Sequence, residues 1–386
     1  MREVKEKFSE LFSKEPDFEL RSPGRVNLIG EHTDYNDGFV FPAAINLEIK
    51  GVAKARDDSR VNVFSMDFNE LKSFNLSEKL KKDNSWTDYI KGVIEELKKI
   101  GRVNWGADIV YKSNLPVGSG LSSSAAFEII NALLFSKINN IELSAVEIAL
   151  LCQRAENNFV GVNCGIMDQF AVALGKRDSA IFLDTKNLEF ELIPLNMSEY
   201  KIIISNTNKK RELSSSAYNE RRQQCEDAVK ILNENGFNIS SLRELSSEEL
   251  DRVETILPEI NFKRVKHVVE ENERVLKSVN FLKSGKITEF GKLLNQSHVS
   301  LRDYYEVSCF ELDVLVEEAL KLEETIGSRM TGAGFGGCTV SIVRESGVDK
   351  FINVVGENYR RRTGLKADFY VSDSVNGAEI FQIKEE

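Results

Sequence analysis

The segment Asn114-Leu-Pro-Val-Gly-Ser-Gly-Leu-Ser-Ser-Ser-Ala-Ala126 constrains the fold more than any other part of the chain. Ahead of it, Ala107, Ile109 and Tyr111 alternate as in a strand. Behind it, Ala126, Ile129, Ile130, Leu133 and Leu134 share one side of a helix. A strand therefore gives way to a helix across Gly118 and Gly120, which permit positive φ and close backbone approach. Ser122, Ser123 and Ser124 stand at the helix start. Unpaired backbone N–H groups and the positive end of the helix dipole make an anion site there, with phosphate the natural occupant. No Lys follows, so the segment is not G-x-x-x-x-G-K-S/T, and it lacks the third Gly of a dinucleotide fingerprint. A Ser-capped helix after a turn is the alternative, although one Ser would suffice as a cap.

Around this segment the 386 residues divide into a strand-led and a helix-led half. At roughly 100–200 residues per domain the length suits two domains or three. Val4, Phe8, Leu11 and Phe12 predict an opening helix that ends before Pro16, and residues 18 to 75 read as short strands broken by glycines. Trp86, Ile90, Val93, Leu97 and Ile100 form a helical stripe. Ser144-Ala-Val-Glu147 is a capping box that opens a helix through Ile148, Leu151, Cys152 and Ala155. Strands near 179–184, 189–193 and 201–205 precede long amphipathic helices from about 212 to 325. A Gly-rich turn at 332–337 leads into a strand at 338–343; a helix near 347–361 and a strand near 366–371 close the chain. The soft boundary near 195–210 gives an N-terminal lobe over 1–200 and a C-terminal lobe over 201–386.

Charge and composition remove several functions. Lys and Arg number 51 against 61 Asp and Glu, a net −10, whereas coating a nucleic acid needs a basic excess. No window approaches 18 uninterrupted apolar residues, and the mixed charges of Met1-Arg-Glu-Val-Lys-Glu-Lys-Phe8 do not resemble a signal peptide, so no membrane partner is expected. Five scattered cysteines without a C-x-x-C pair read as reduced thiols of a cytoplasmic protein. Three histidines without ligand spacing argue against a transition-metal site and leave a hard cation such as Mg²⁺ open.

Three further segments could carry chemistry. In Arg21-Ser-Pro-Gly-Arg-Val-Asn-Leu-Ile-Gly-Glu-His-Thr-Asp-Tyr35, the residues Arg25, Glu31, His32 and Asp34 crowd ten positions between glycines. Such a cluster could hold a polyhydroxylated ligand, because carboxylates and imidazole satisfy several hydroxyls at once; a solvated loop is the alternative. In Glu156-Asn-Asn-Phe-Val-Gly-Val-Asn-Cys-Gly-Ile-Met-Asp-Gln-Phe170, Asp168 could act as a general base or merely cap the next helix, while Glu156 could ligate Mg²⁺. Met330-Thr-Gly-Ala-Gly-Phe-Gly-Gly-Cys338 matches G-x-G-x-x-G, but a strand follows it where a dinucleotide site needs a helix. It reads better as a turn packed closely against the first loop's ligand or the phosphates.

Taken together, these segments resemble the galactokinase family. The Glu31-His-Thr-Asp-Tyr35 stretch resembles its signature, the Gly-Ser loop is similar to the phosphate loop of the wider GHMP kinases, and residues 330–338 resemble their third motif. The resemblance runs from about residue 20 to 375, with Ser22 where Ala is usual. It implies an α+β, two-lobed GHMP kinase fold: an S5-like N-terminal lobe and a ferredoxin-like C-terminal lobe with added helices, with ATP and sugar between them. It implies sugar contacts from Glu31, His32, Thr33, Asp34, Gly165, Asp168 and Tyr218. ATP contacts would come from Ser65 and from Gly118, Ser119, Gly120, Leu121, Ser122, Ser123 and Ser124, and Mg²⁺ ligands from Ser124 and Glu156. The implied reaction passes the ATP γ-phosphoryl group to the anomeric hydroxyl of galactose, with Asp168 and Arg25 as catalytic residues; a cytoplasmic setting and a monomer, with an oligomer as the alternative, are expected. A kinase for a related sugar such as N-acetylgalactosamine, or a non-catalytic galactose and ATP sensor, are the other readings.

Overall fold

The computed structural model describes residues 1–116, 119–209 and 214–383. Its first sheet has six strands in the spatial order Glu379–Gln382, Phe18–Asn27, Pro42–Ala55, Ala107–Ser113, Arg60–Ser65 and Glu70–Asn75. All pairings are antiparallel except Arg60–Ser65 with Ala107–Ser113. Helix Ser123–Ile138 lies on this sheet with Ala125, Ile129, Ile130 and Leu134 fully buried. Its apolar residues spread all round, as a core helix requires.

A slip in the first sheet prepares the site. The pairing of Phe18–Asn27 with Pro42–Ala55 shifts between Pro23 and Gly24. Pro23 has no N–H to give the ladder, and a bulge re-aims the side chains that follow it. Every residue from Ser22 to Asn27 is then buried, Arg25 among them.

The second sheet has the order Thr325–Thr331, Cys338–Arg344, Tyr200–Asn206 and Asp368–Ser372, antiparallel throughout. In chain order this is strand, helices, strand, strand, helix, strand, the split β-α-β pattern of ferredoxin-like folds. The first connection is enlarged by Ser214–Glu234, Glu259–Lys283, Ile287–Asp303 and Phe310–Leu320; the second is the single helix Val348–Thr363. The added helices form their own core around Cys225, Leu232, Val265 and Tyr305.

The two halves also share a core. Ile202, Ile204, Val340 and Ile342 of the second sheet join one apolar cluster with Val26, Ile45, Ile129 and Leu134. At about 1.5–3 kcal/mol per fully buried aliphatic side chain, those four contribute roughly 6–12 kcal/mol. That is a gross burial term, offset by the entropy of ordering the chain, and it contributes to holding one half against the other.

One element departs from the sequence reading. The chain does not close on the strand near 366–371: Glu379–Gln382 returns to pair with Phe18–Asn27 in the first sheet. A cut at residue 200/201 therefore leaves a strand of the first sheet in the second lobe. This four-residue edge strand is half exposed and carries no alternation to reveal it.

Candidate active site

The Gly-Ser loop ends in an unusual cap. Ser122 is the N-cap of Ser123–Ile138 in a left-handed conformation (φ 60°, ψ 47°), yet its hydroxyl does not cap the helix. It donates to Asp168 Oδ2 instead. Such a conformation costs a non-glycine residue about 1–2 kcal/mol and persists where its surroundings hold it. The diverted hydroxyl leaves the first helical N–H groups without their usual serine acceptor, which suits them to an anion. Ser119 folds back to donate from Oγ to Pro116 O at 2.7 Å, Gly120 has φ of 81°, Leu121 is buried, and Ser123 and Ser124 are half-buried. Gly118 lies outside the described residues.

Arg25 ties this loop to Asp168. Its Nε donates to Asp168 Oδ1 at 2.7 Å, its Nη2 stands 2.6 Å from the same oxygen, and its Nη1 donates to Gly120 O at 2.6 Å. Asp168 is the second residue of helix Met167–Leu174, whose N-cap is Ile166. The capping alternative for Asp168 thus fails: its carboxylate is turned to Arg25 and Ser122. Both oxygens are engaged, while the side chain keeps 27% exposure on a cavity of about 310 Å³.

The opposite wall of that cavity is the Glu31–Asp34 turn. Glu31 is held on every side: Oε1 accepts from Gly332 N (2.7 Å) and Thr331 Oγ1 (2.9 Å), and Oε2 from Asn27 Nδ2 (3.0 Å). Buried Arg329 stands 3.3 Å away. The third glycine motif is therefore a clamp on the first loop. Asp34 sits against Gly165, where a Cβ would overlap its Oδ2. Burial, and then the charges of Asp168 and Glu31, raise the Asp34 carboxyl to about 7. His32 is neutral, lowered to about 3 by burial and then by His267. Tyr218 lines the cavity with its ring 5.7 Å from His32. Thr33 does not belong here. It is fully buried, and its hydroxyl lies 2.9 Å from Gly30 O and 2.6 Å from Phe39 O, closing the loop on itself rather than reaching the cavity.

Sequence reasoning missed what holds this turn in place. Helix Glu259–Lys283 presents His267, Glu271 and Asn272 to its backbone: His267 Nε2 donates to Glu31 O (3.1 Å), Gly30 N to Glu271 Oε1 (2.9 Å) and Phe39 N to Asn272 Oδ1 (2.8 Å). Their partners are main-chain atoms, which leave no trace in residue identity.

A second cavity, about 470 Å³, lies on the far side of the Ser-rich helix start. Phe68, Trp86, Tyr111 and Phe127 line it, with Ser65 and Ser124 at its wall. Trp86 and Tyr111 flank Phe127 at 5.9 and 5.0 Å. These aromatics were also missed: they are scattered between residues 68 and 127, and nothing in their spacing brings them together.

The two cavities adjoin at Ser124 and Glu156. Glu156 begins a π-helical turn over Glu156–Val160, a geometry frequent at functional sites. Its carboxyl is pushed up by burial and by Asp168, and the Ser124 hydroxyl beside it favours the ionised form. Gln169 Nε2 bridges Glu156 (2.7 Å) and the buried Glu128 (3.4 Å). Among the described residues, no three His, Cys, Asp or Glu are grouped as a metal cage. One buried carboxylate with one hydroxyl fits a cation that takes its other ligands from phosphate and water, as Mg²⁺ does.

The chain as a whole is similar to known proteins. The galactokinase galactose-binding signature matches residues 6–55, the GHMP kinase N-terminal domain residues 88–176 and the GHMP kinase C-terminal domain residues 278–361. A galactokinase of Fusobacterium nucleatum is 49% identical over 378 residues, covering 96% of this chain and 97% of that protein. A galactokinase of Bacillus subtilis is 46% identical over 362 residues, covering 92% and 93%. The crystal structure of Lactococcus lactis galactokinase complexed with galactose superposes with a TM-score of 0.94 at 42% identity, covering 98% of this chain and 99% of that one. Methanococcus jannaschii mevalonate kinase, at 19% identity and a TM-score of 0.67 over 93% of this chain and 99% of that one, shares the fold alone.

Proposed function

Because the chain belongs to the galactokinase family and has its two-lobed GHMP kinase fold, we infer that it transfers the γ-phosphoryl group of ATP to the anomeric hydroxyl of D-galactose. The observation that carries the reading is Asp168, braced by Arg25 and Ser122 where the phosphate loop meets the Glu31–Asp34 cavity.

In this proposal galactose occupies the smaller cavity, its hydroxyls met by Glu31, His32, Asp34 and Tyr218. ATP lies along the Ser-rich helix start, with its base among Phe68, Trp86 and Phe127 and Ser65 beside it. Phosphoryl transfer passes largely through a loose transition state, so the protein's work is positioning and charge stabilisation. Asp168 exchanges the Ser122 hydroxyl for the sugar's anomeric hydroxyl and accepts its proton. Arg25, bonded to both Asp168 and Gly120, stabilises charge as it develops on the transferring group. Ser124 and Glu156 would hold Mg²⁺, which supplies neutralisation of the phosphate oxygens. A monomeric state and a cytoplasmic setting complete the proposal.

The test is a panel of hexoses with Mg-ATP, followed by ADP release and then phosphorus NMR of the product. Galactose is expected to turn over fastest and to carry phosphate at C1. A faster N-acetylgalactosamine would move the substrate, and no ADP release with any sugar would favour the sensor.

The sugar side can be tested alone. Gly165→Ala places a methyl group onto the Asp34 carboxylate, overlapping its Oδ2. Galactose affinity is expected to fall at least about tenfold, the loss of one good hydrogen bond to a charged group, while ATP affinity stays unchanged. Calorimetry with each ligand separates the two. Equal losses for both would mean that the site as a whole had been disturbed.

A further inference from the structure

We propose that a relay of two phenols, Tyr35 and Tyr305, ending at Cys225, fixes His32 as its Nε2–H tautomer and so makes it a hydrogen-bond donor to the sugar. The relay is continuous. His32 Nδ1 lies 2.8 Å from the Tyr35 hydroxyl, which lies 2.8 Å from the Tyr305 hydroxyl, which lies 3.2 Å from Cys225 Sγ. Tyr305 comes from the turn after helix Ile287–Asp303 and is fully buried, its ring 4.8 Å from His32 and 4.5 Å from His267. The Tyr218 ring, on helix Ser214–Glu234, also stands against His32, at 5.7 Å.

Each hydroxyl has one proton, so the chain runs in one of two directions. In the first, the Cys225 thiol donates to Tyr305, Tyr305 to Tyr35, and Tyr35 to His32 Nδ1. In the reverse, His32 Nδ1–H starts the chain and the Tyr305 proton ends on sulfur. The first direction puts each phenolic proton on an oxygen or an imidazole nitrogen; the reverse gives one of them to a weak sulfur acceptor. With Nδ1 accepting from Tyr35, the neutral ring carries its one hydrogen on Nε2. Because burial keeps the ring neutral, the tautomer rather than the charge is what the relay controls.

The His32 backbone is held to the same end. Its φ is 62°, uncommon for a residue with a side chain, and Asn36 Nδ2 donates to its carbonyl at 3.0 Å. His32 Nε2 is buried without a hydrogen-bond partner, on a residue that lines the smaller cavity. Glu31 and Asp34 nearby can only accept when ionised. A donor among them lets the cavity recognise one sugar oxygen as an acceptor, so the relay acts on selectivity. Tyr305 is in this sense a positioning residue. The inference for selectivity rests on reading the cavity as the sugar site; the tautomer does not.

The chain has three histidines, so histidine-labelled protein gives a countable ¹⁵N spectrum. His32→Asn identifies the His32 signals. In ligand-free protein, His32 Nε2 is expected in the protonated range and Nδ1 in the unprotonated range. Tyr305→Phe should draw the two signals together as the tautomers mix, and should weaken galactose binding about tenfold with ATP affinity unchanged. Tyr35→Phe breaks the same relay from a half-buried position and should do likewise, which covers a Tyr305 variant that folds poorly. A protonated His32 Nδ1 in the native protein, or unmoved signals in both variants, overturns the relay. Shifted signals with unchanged galactose affinity keep the relay and remove its role at the sugar.

Discussion

Asp168→Asn is expected to lower kcat about a thousandfold while galactose affinity changes by less than about threefold. The substitution is close to isosteric. Its Oδ1 can still accept from Arg25, and its amide can donate to the Ser122 oxygen, so the bracing seen around Asp168 is kept. What is lost is the capacity to take a proton. Positioned general bases contribute about 10²–10⁴-fold, and a thousandfold loss corresponds to about 4 kcal/mol of barrier. Steady-state ADP release and galactose calorimetry on the same preparation decide the matter. Turnover within tenfold of the native enzyme would remove Asp168 from the base role.

The same variant makes a prediction for pH. Burial raises the Asp34 carboxyl to about 7, and the Asp168 charge is the next contributor. Removing that charge makes Asp34 ionise at lower pH. If ionised Asp34 accepts from galactose hydroxyls, native affinity should rise as pH climbs through about 7. In Asp168→Asn the rise should come earlier. A profile that stays in place would mean that the two carboxylates do not sense one another.

The part of the site legible in the sequence was the part built from local side chains. Glu31, His32 and Asp34 sit in one turn, and Ser122 to Ser124 open one helix, so spacing alone groups them. Asp168 was ambiguous in sequence because an aspartate near a helix start reads equally as a cap; Arg25, 143 residues away, resolves it. Thr33 was misread because a hydroxyl in a polar turn does not reveal whether it faces ligand or backbone. His267, Glu271 and Asn272 were illegible for a different reason. On a helix, His, Glu and Asn at that spacing read as a solvated face, and their partners Glu31 O, Gly30 N and Phe39 N have no residue signature. Of the fold, the strand-led and helix-led halves were visible from periodicity. The strand Glu379–Gln382, short and at a sheet edge, was not.

Arg25→Ala should also act chiefly on turnover, by about 10²–10³-fold in kcat, the range for removing one preorganised donor from a developing charge. Two effects compete. Arg25 neutralises Asp168 through Nε and Nη2, and anchors the phosphate loop through Nη1 to Gly120 O. Loss of the anchor alone would loosen the loop and raise the KM for ATP. The loop has a second tie to the same strand, however, Arg25 N to Leu121 O at 3.2 Å, which is a backbone bond and survives the substitution. The charge has no such substitute in this triad, so the larger effect is expected in kcat. Arg25→Lys separates the two. A lysine restores one positive charge but cannot fork between Asp168 and Gly120, so it should recover at most about tenfold of the loss. Near-complete rescue by lysine would show that charge alone matters. An alanine effect confined to the KM for ATP would make Arg25 a loop anchor and leave the transferring group to be stabilised by other groups.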